Sequence, residues 1–67
     1  NKGGEAATLN NIGNVYLALG DSAAALTNYT QALALSQQVG DREGEAVTLN
    51  NIAVAHKQQG ECIPDMR

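Results

Sequence analysis

Large aromatic residues are almost missing from this sequence, which has no phenylalanine, no tryptophan and only two tyrosines. Cysteine and proline occur once each, as Cys62 and Pro64. A lone cysteine excludes a disulfide within the chain, and no cluster of cysteine and histidine indicates a metal site. We therefore expect no metal and no cofactor. A chain of 67 residues must then gain its stability from helix packing, from a longer parent protein or from other copies of itself.

Positive charge is also scarce, because four Lys and Arg residues stand against seven Asp and Glu residues, for a net charge of −3. Nucleic-acid binding needs a basic patch, so we expect no nucleic-acid partner. The sequence has no run of about eighteen apolar residues, so we expect no membrane-spanning segment. One unpaired cysteine fits a reducing compartment, and we expect the protein to be cytoplasmic.

The sequence does contain a repeated segment. Residues Gly4–Ile12 read Gly-Glu-Ala-Ala-Thr-Leu-Asn-Asn-Ile, and Gly44–Ile52 repeat this order with one change, from Ala7 to Val47. The offset of forty residues is a period typical of proteins that stack similar structural units. The repeat therefore predicts a solenoid-like architecture.

Helical spacing and turn residues predict three helices within this period. Leu9, Ile12, Tyr16 and Leu19 follow one another at steps of three and four. Gly-Asp pairs at 20–21 and 40–41 are expected to end one helix and cap the next, Gly60 to end the third, and Asn1 to cap the first. Such short links make neighbouring helices antiparallel.

We predict one domain over residues 1–67, organised as about one and a half repeats. Residues 1–40 form the first repeat, with helices at about 4–19 and 22–38. The first helix of a second repeat lies within 41–60. Residues 61–67 are expected to be a truncated or frayed tail.

Eight positions of the first repeat resemble the tetratricopeptide repeat. That family carries apolar, small, aromatic and glycine residues at fixed offsets on its first helix, and small, aromatic and small residues on its second. The matching residues are Leu9, Ile12, Gly13, Tyr16, Gly20, Ala25, Tyr29 and Ala32. The second copy matches at Leu49, Ile52, Ala53 and Gly60, with His56 in place of the aromatic residue. The forty-residue period is similar to that of kinesin light chains and of bacterial tetratricopeptide scaffolds.

The resemblance implies an all-α fold of antiparallel helix-turn-helix repeats that belong to an α-solenoid. Independently of the family, small residues at three positions would let helix backbones approach closely: Gly13, Ala25 and Ala32. Larger residues would fill the space between the helices: Leu9, Ile12, Tyr16, Tyr29 and Leu33.

The resemblance also implies a protein-interaction module that binds an extended peptide or a partner helix on a concave face lined by the first helices. Asparagine is a poor helix former but offers both a donor and an acceptor, so its abundance here suggests contacts to a peptide backbone. The candidate binding residues are Asn10, Asn11, Asn14, Leu17, Ala18, Asn50, Asn51 and Gln58. In the alternative interpretation, some of these asparagines only bridge neighbouring repeats.

A second functional hypothesis is structural, with the segment serving to stack in a longer solenoid or a homo-oligomer. The third helix lacks a following helix to pack on, so Leu49, Ile52, Val54 and Ala55 are expected to be exposed. Large exposed apolar patches mark interfaces, which predicts self-association through this helix.

Catalysis has no candidate constellation in this sequence, and we expect no enzyme activity. His56 has no carboxylate or cysteine three or four residues away, and it is interpreted as a substitute for the aromatic residue. Cys62 lies in no nucleophile motif and is interpreted as an exposed thiol.

Overall fold

The computed structural model describes residues 1–60, which form three α-helices. Helix α1 spans Lys2–Ala18, α2 spans Ser22–Val39 and α3 spans Arg42–Gln59. The predicted all-α fold class is confirmed. Helix α1 begins two residues before the predicted start at about residue 4, and the tail predicted at 61–67 lies outside the described residues.

The helix ends follow the predicted capping residues. The side chain of Asn1 accepts a hydrogen bond from the Gly4 backbone at 3.1 Å, and Asp21 does the same for Ala24 at 3.1 Å. Gly40 and Gly60 close α2 and α3 with φ angles of 71° and 82°, in the left-handed region that glycine adopts without steric cost. These predictions are confirmed because each depends only on neighbours in the sequence.

The core lies along α2, which packs against α1 on one side and against α3 on the other. Ala25, Tyr29 and Ala55 form a fully buried cluster, and Leu17, Leu26 and Ile52 pack partly buried against it. Gly13 lies directly on the Tyr29 ring, because a Cβ at this glycine would come within 2.5 Å of a ring carbon. The predicted role of small residues in close helix contact is thus confirmed at Gly13.

Two predictions about burial are wrong. Ile12 and Tyr16 were expected between the helices, but they remain 39% and 37% exposed. Ile52 and Ala55 were expected on an open face of α3, but Ala55 is fully buried and Ile52 packs partly buried against the core cluster. Both errors have one cause: residues of α3 such as Ala55 face back onto α2, whereas no described helix covers the corresponding side of α1.

Candidate peptide-binding face between helices α1 and α3

Helices α1 and α3 lie side by side and present equivalent positions, forty residues apart, along a shared groove. A cavity of about 270 Å³ at one end of this groove is lined from both helices, by Ala7 and Asn11 of α1 and by Val47 of α3, among others. Helical steps of three and four place Asn50 and Val54 on the same side of α3 as Val47. We call this surface the groove face.

Asn10 connects α1 to α3 beneath the groove face. Its Nδ2 donates to Thr48 Oγ1 at 2.9 Å, and its Oδ1 accepts from Asn51 Nδ2 at 3.3 Å. Thr48 is fully buried, and its hydroxyl donates in turn to the Gly44 carbonyl oxygen at 2.8 Å. The two sides of the Asn10 amide are therefore both engaged between the helices.

Gln58 makes a second connection further along the two helices. Its Nε2 donates to the Leu17 carbonyl oxygen at 3.0 Å. Leu17 itself is partly buried against the core cluster, whereas Ala18 is exposed. Together with Asn10, this bond sets how α1 and α3 lie relative to each other.

Asn14 is tied to the core from the groove side. The Tyr29 hydroxyl donates to Asn14 Oδ1, and burial raises the pKa of this hydroxyl above its usual value of 10.0. The hydroxyl is therefore a neutral donor at physiological pH. The Asn14 side chain is exposed and is held with its amide NH₂ group available as a donor.

Asn11 and Asn50 are the two predicted site residues whose side chains are wholly available. Both are exposed, and neither makes a hydrogen bond to another residue within 1–60. Each therefore keeps a donor and an acceptor for a ligand. Of the eight predicted residues, these two and Asn14 present polar groups outward, while Asn10, Asn51 and Gln58 join the helices.

Apolar residues of the groove face were missed as binding residues. Val47 is 51% exposed and Val54 is 45% exposed. They flank Asn50 at three and four residues, so the helical period alone could have placed them with it. Val54 was instead expected on the self-association surface. Helical spacing shows which residues of α3 share a side, but it does not show that this side borders a groove with α1.

Metal-ligand groups and membrane-spanning helices are both absent from residues 1–60. Within residues 1–60, no three or more histidine, cysteine, aspartate or glutamate side chains are placed so that they could hold a metal ion. No helix in this range is both long enough and apolar enough to cross a bilayer.

A comparison with protein families identifies this architecture. The model of the tetratricopeptide repeat matches residues 4–63, which is nearly the whole chain. The chain belongs to the tetratricopeptide repeat family. Repeats of this family are generally non-catalytic, and membership implies a protein-interaction or scaffold role for the chain. Searches of curated proteins and of solved structures gave no match. The similarity to kinesin light chains stays a prediction.

Proposed function

We propose that the groove face binds an extended peptide segment of a partner protein in the cytoplasm and performs no catalysis. The observation that carries the proposal is the pair Asn11 and Asn50, exposed and without a hydrogen-bond partner within residues 1–60. Asn11 lines the same cavity as the exposed Val47. Asn50 and the exposed Val54 follow Val47 on α3 at helical steps of three and four. Neither a nucleic acid nor a membrane is part of the proposal.

An extended peptide suits this combination of side chains. Its backbone presents free N–H and C=O groups, and an asparagine side chain pairs with both kinds of group. The side chains of an extended peptide alternate in direction, so every second one would point toward the groove. Val47 and Val54 would contact those side chains, and Asn11 and Asn50 would form hydrogen bonds with the peptide backbone.

We expect replacement of Asn50 with alanine to weaken peptide binding about three- to tenfold. A neutral hydrogen bond contributes about 0.5–1.5 kcal/mol, and Asn50 makes no bond within residues 1–60 whose loss would disturb the fold. The probe is a fluorescein-labelled octapeptide selected on the 67-residue chain from a random display library. Fluorescence anisotropy gives its affinity.

Asn28 supplies the matched control, because it is also a helical asparagine but bonds to the Ala24 carbonyl at 2.9 Å within α2. Asn28→Ala should leave the affinity unchanged. In ¹H–¹⁵N spectra, the side-chain amide signals of Asn11 and Asn50 should move on titration, and that of Asn28 should stay. Equal effects of the Asn50 and Asn28 variants would refute binding at the groove face.

A second candidate function is assembly, and the open sides of α1 and α3 favour it. Ala55 of α3 is fully buried by α2, yet Val15, its equivalent forty residues earlier, is 59% exposed. On α3, Leu49 is 49% exposed. Each outer helix therefore keeps an apolar side uncovered within residues 1–60, and other chains would bury it.

If the chain assembles, its thermal midpoint should rise with protein concentration, because association stabilises the folded state by mass action. We expect an increase of several degrees across a hundredfold range, measured by circular dichroism. Val15→Ser should remove the dependence, since it makes an exposed apolar position polar. A midpoint independent of concentration, together with a monomer mass in light scattering, would contradict assembly.

A further inference from the structure

A small cavity opens at one end of the groove face, where α1 passes the first turn of α3. Its volume is about 270 Å³, enough for one large side chain. Ala6, Ala7 and Val47 give it apolar walls, and the buried Ser36 and the exposed Asp41 add polar groups to its lining. The cavity thus combines apolar walls with polar groups.

Two oxygen atoms in the lining have acceptor capacity to spare. Asp41 uses Oδ1 to cap α3 by accepting from the Gly44 backbone at 3.0 Å, which leaves Oδ2 without a hydrogen bond within residues 1–60. The Ser36 hydroxyl is only 1% exposed, yet it has no hydrogen-bond partner in the same range. A buried hydroxyl without a partner is uncommon, because its desolvation is then uncompensated.

Both oxygens lie beside Gly44, which has no side chain. The point where its Cβ would stand lies 2.4 Å from Asp41 Oδ2 and 3.2 Å from Ser36 Oγ. A side chain at this position would fill the space next to both oxygens, and glycine leaves that space open.

The charges around the cavity favour a cation over an anion. Among residues 1–60, Asp41 is the only charged residue in its lining, and the first turn of α3 carries Glu43 and Glu45 beside Arg42. The nearby cation Lys2 donates to Gln38 at 2.8 Å and does not line the cavity. The Asp41 carboxylate caps α3 and so already offsets the positive end of the dipole of this helix.

We propose that this cavity binds a lysine side chain of the peptide held on the groove face. The proposal rests on the proposed function and specifies the peptide's chemistry. An ammonium group has three donors, and Asp41 Oδ2, Ser36 Oγ and Asn11 Oδ1 supply three acceptors. The methylene stem of lysine would contact the apolar walls on the way in.

The test starts from octapeptides selected on the 67-residue chain from a random display library. We expect lysine at one fixed position among them. A selected peptide is then synthesised with lysine, arginine or norleucine at that position, and calorimetry gives the three affinities. Norleucine keeps the apolar stem without the charge, and we expect it to bind about tenfold more weakly or worse.

Paired variants of the chain locate the effect. Asp41→Asn keeps an oxygen for the helix cap but removes the charge, and it should abolish the preference for lysine over norleucine. Asp21→Asn makes the same change at the α2 cap, whose oxygen accepts from Ala24 at 3.1 Å, and should leave the preference intact. Ser36→Ala should lower lysine affinity severalfold without lowering the thermal midpoint, because the hydroxyl has no bond to lose within residues 1–60.

The outcomes separate this proposal from the general one. Selected peptides without a basic residue, bound by Asn50 but insensitive to Asp41→Asn, would overturn the lysine cavity and leave peptide binding in place. Equal affinities for the lysine and norleucine peptides would show that the cavity binds an apolar side chain, and they would overturn the lysine proposal. No selected peptide at all would overturn both proposals. A preference for arginine over lysine would show a cationic cavity of different geometry and refute the ammonium arrangement.

Discussion

Replacing Tyr29 with alanine should abolish the folded state of the chain. Tyr29 is the largest fully buried side chain within residues 1–60, and it contacts both Gly13 of α1 and the cluster that holds Ala55 of α3. Truncation of a buried aromatic residue to alanine costs about 3–5 kcal/mol. A single core in a chain of this size supplies about the same amount, so little stability would remain.

Far-ultraviolet circular dichroism during urea unfolding measures this loss. Tyr16→Ala is the matched control, because it removes the other tyrosine, which is 37% exposed, and should cost about 1 kcal/mol or less. A Tyr29→Ala chain that unfolds cooperatively near the wild-type midpoint would show that α2 does not hold the core.

The second large effect is expected at Gly13, where alanine would place a methyl group against the Tyr29 ring. Its Cβ would lie 2.5, 2.8 and 3.0 Å from three ring carbons, and that ring is fully buried. Overpacking a core costs about 1–3 kcal/mol, and the better helix propensity of alanine returns about 1 kcal/mol. We expect a net loss of about 1 kcal/mol, and at most about 2 kcal/mol, in the free energy of unfolding.

Gly4 provides the comparison within the same helix. A Cβ there would meet only Asn1, at 3.7 Å or more, so Gly4→Ala should stabilise the chain by up to about 1 kcal/mol. Opposite signs for the two variants in urea unfolding are the expected result. If both variants stabilise the chain, the close contact between α1 and α2 is not rigid.

The parts of the fold that depend on neighbours in sequence could be predicted from the sequence. The caps at Asn1, Asp21 and Asp41 are examples, because each carboxamide or carboxylate acts on a backbone N–H three residues away. Burial was harder to predict. The sequence pattern around Ala55 would be the same whether this residue faced α2 or solvent. Only the packing of α3 on α2 determines that it is buried.

The candidate site shows the same limit. Asparagines at helical spacing were visible in the sequence, and their type pointed to hydrogen bonding. Which amides remain available depends on the register between α1 and α3, because Asn10 meets Thr48 and Asn51 across that contact. The cavity that contains Ser36 was not foreseen, since its walls come from three helices.

The order of the helices has a kinetic consequence. Because α1 packs mainly on α2, and α2 on α3, folding closes mainly short loops between sequence neighbours. Chains with such local contacts fold in microseconds to milliseconds. Two chains at about 1 μM meet productively only around 0.1–10 times per second, at the usual association rates of about 10⁵–10⁷ M⁻¹ s⁻¹. Each chain therefore finishes folding before it meets another, and any assembly joins completed units.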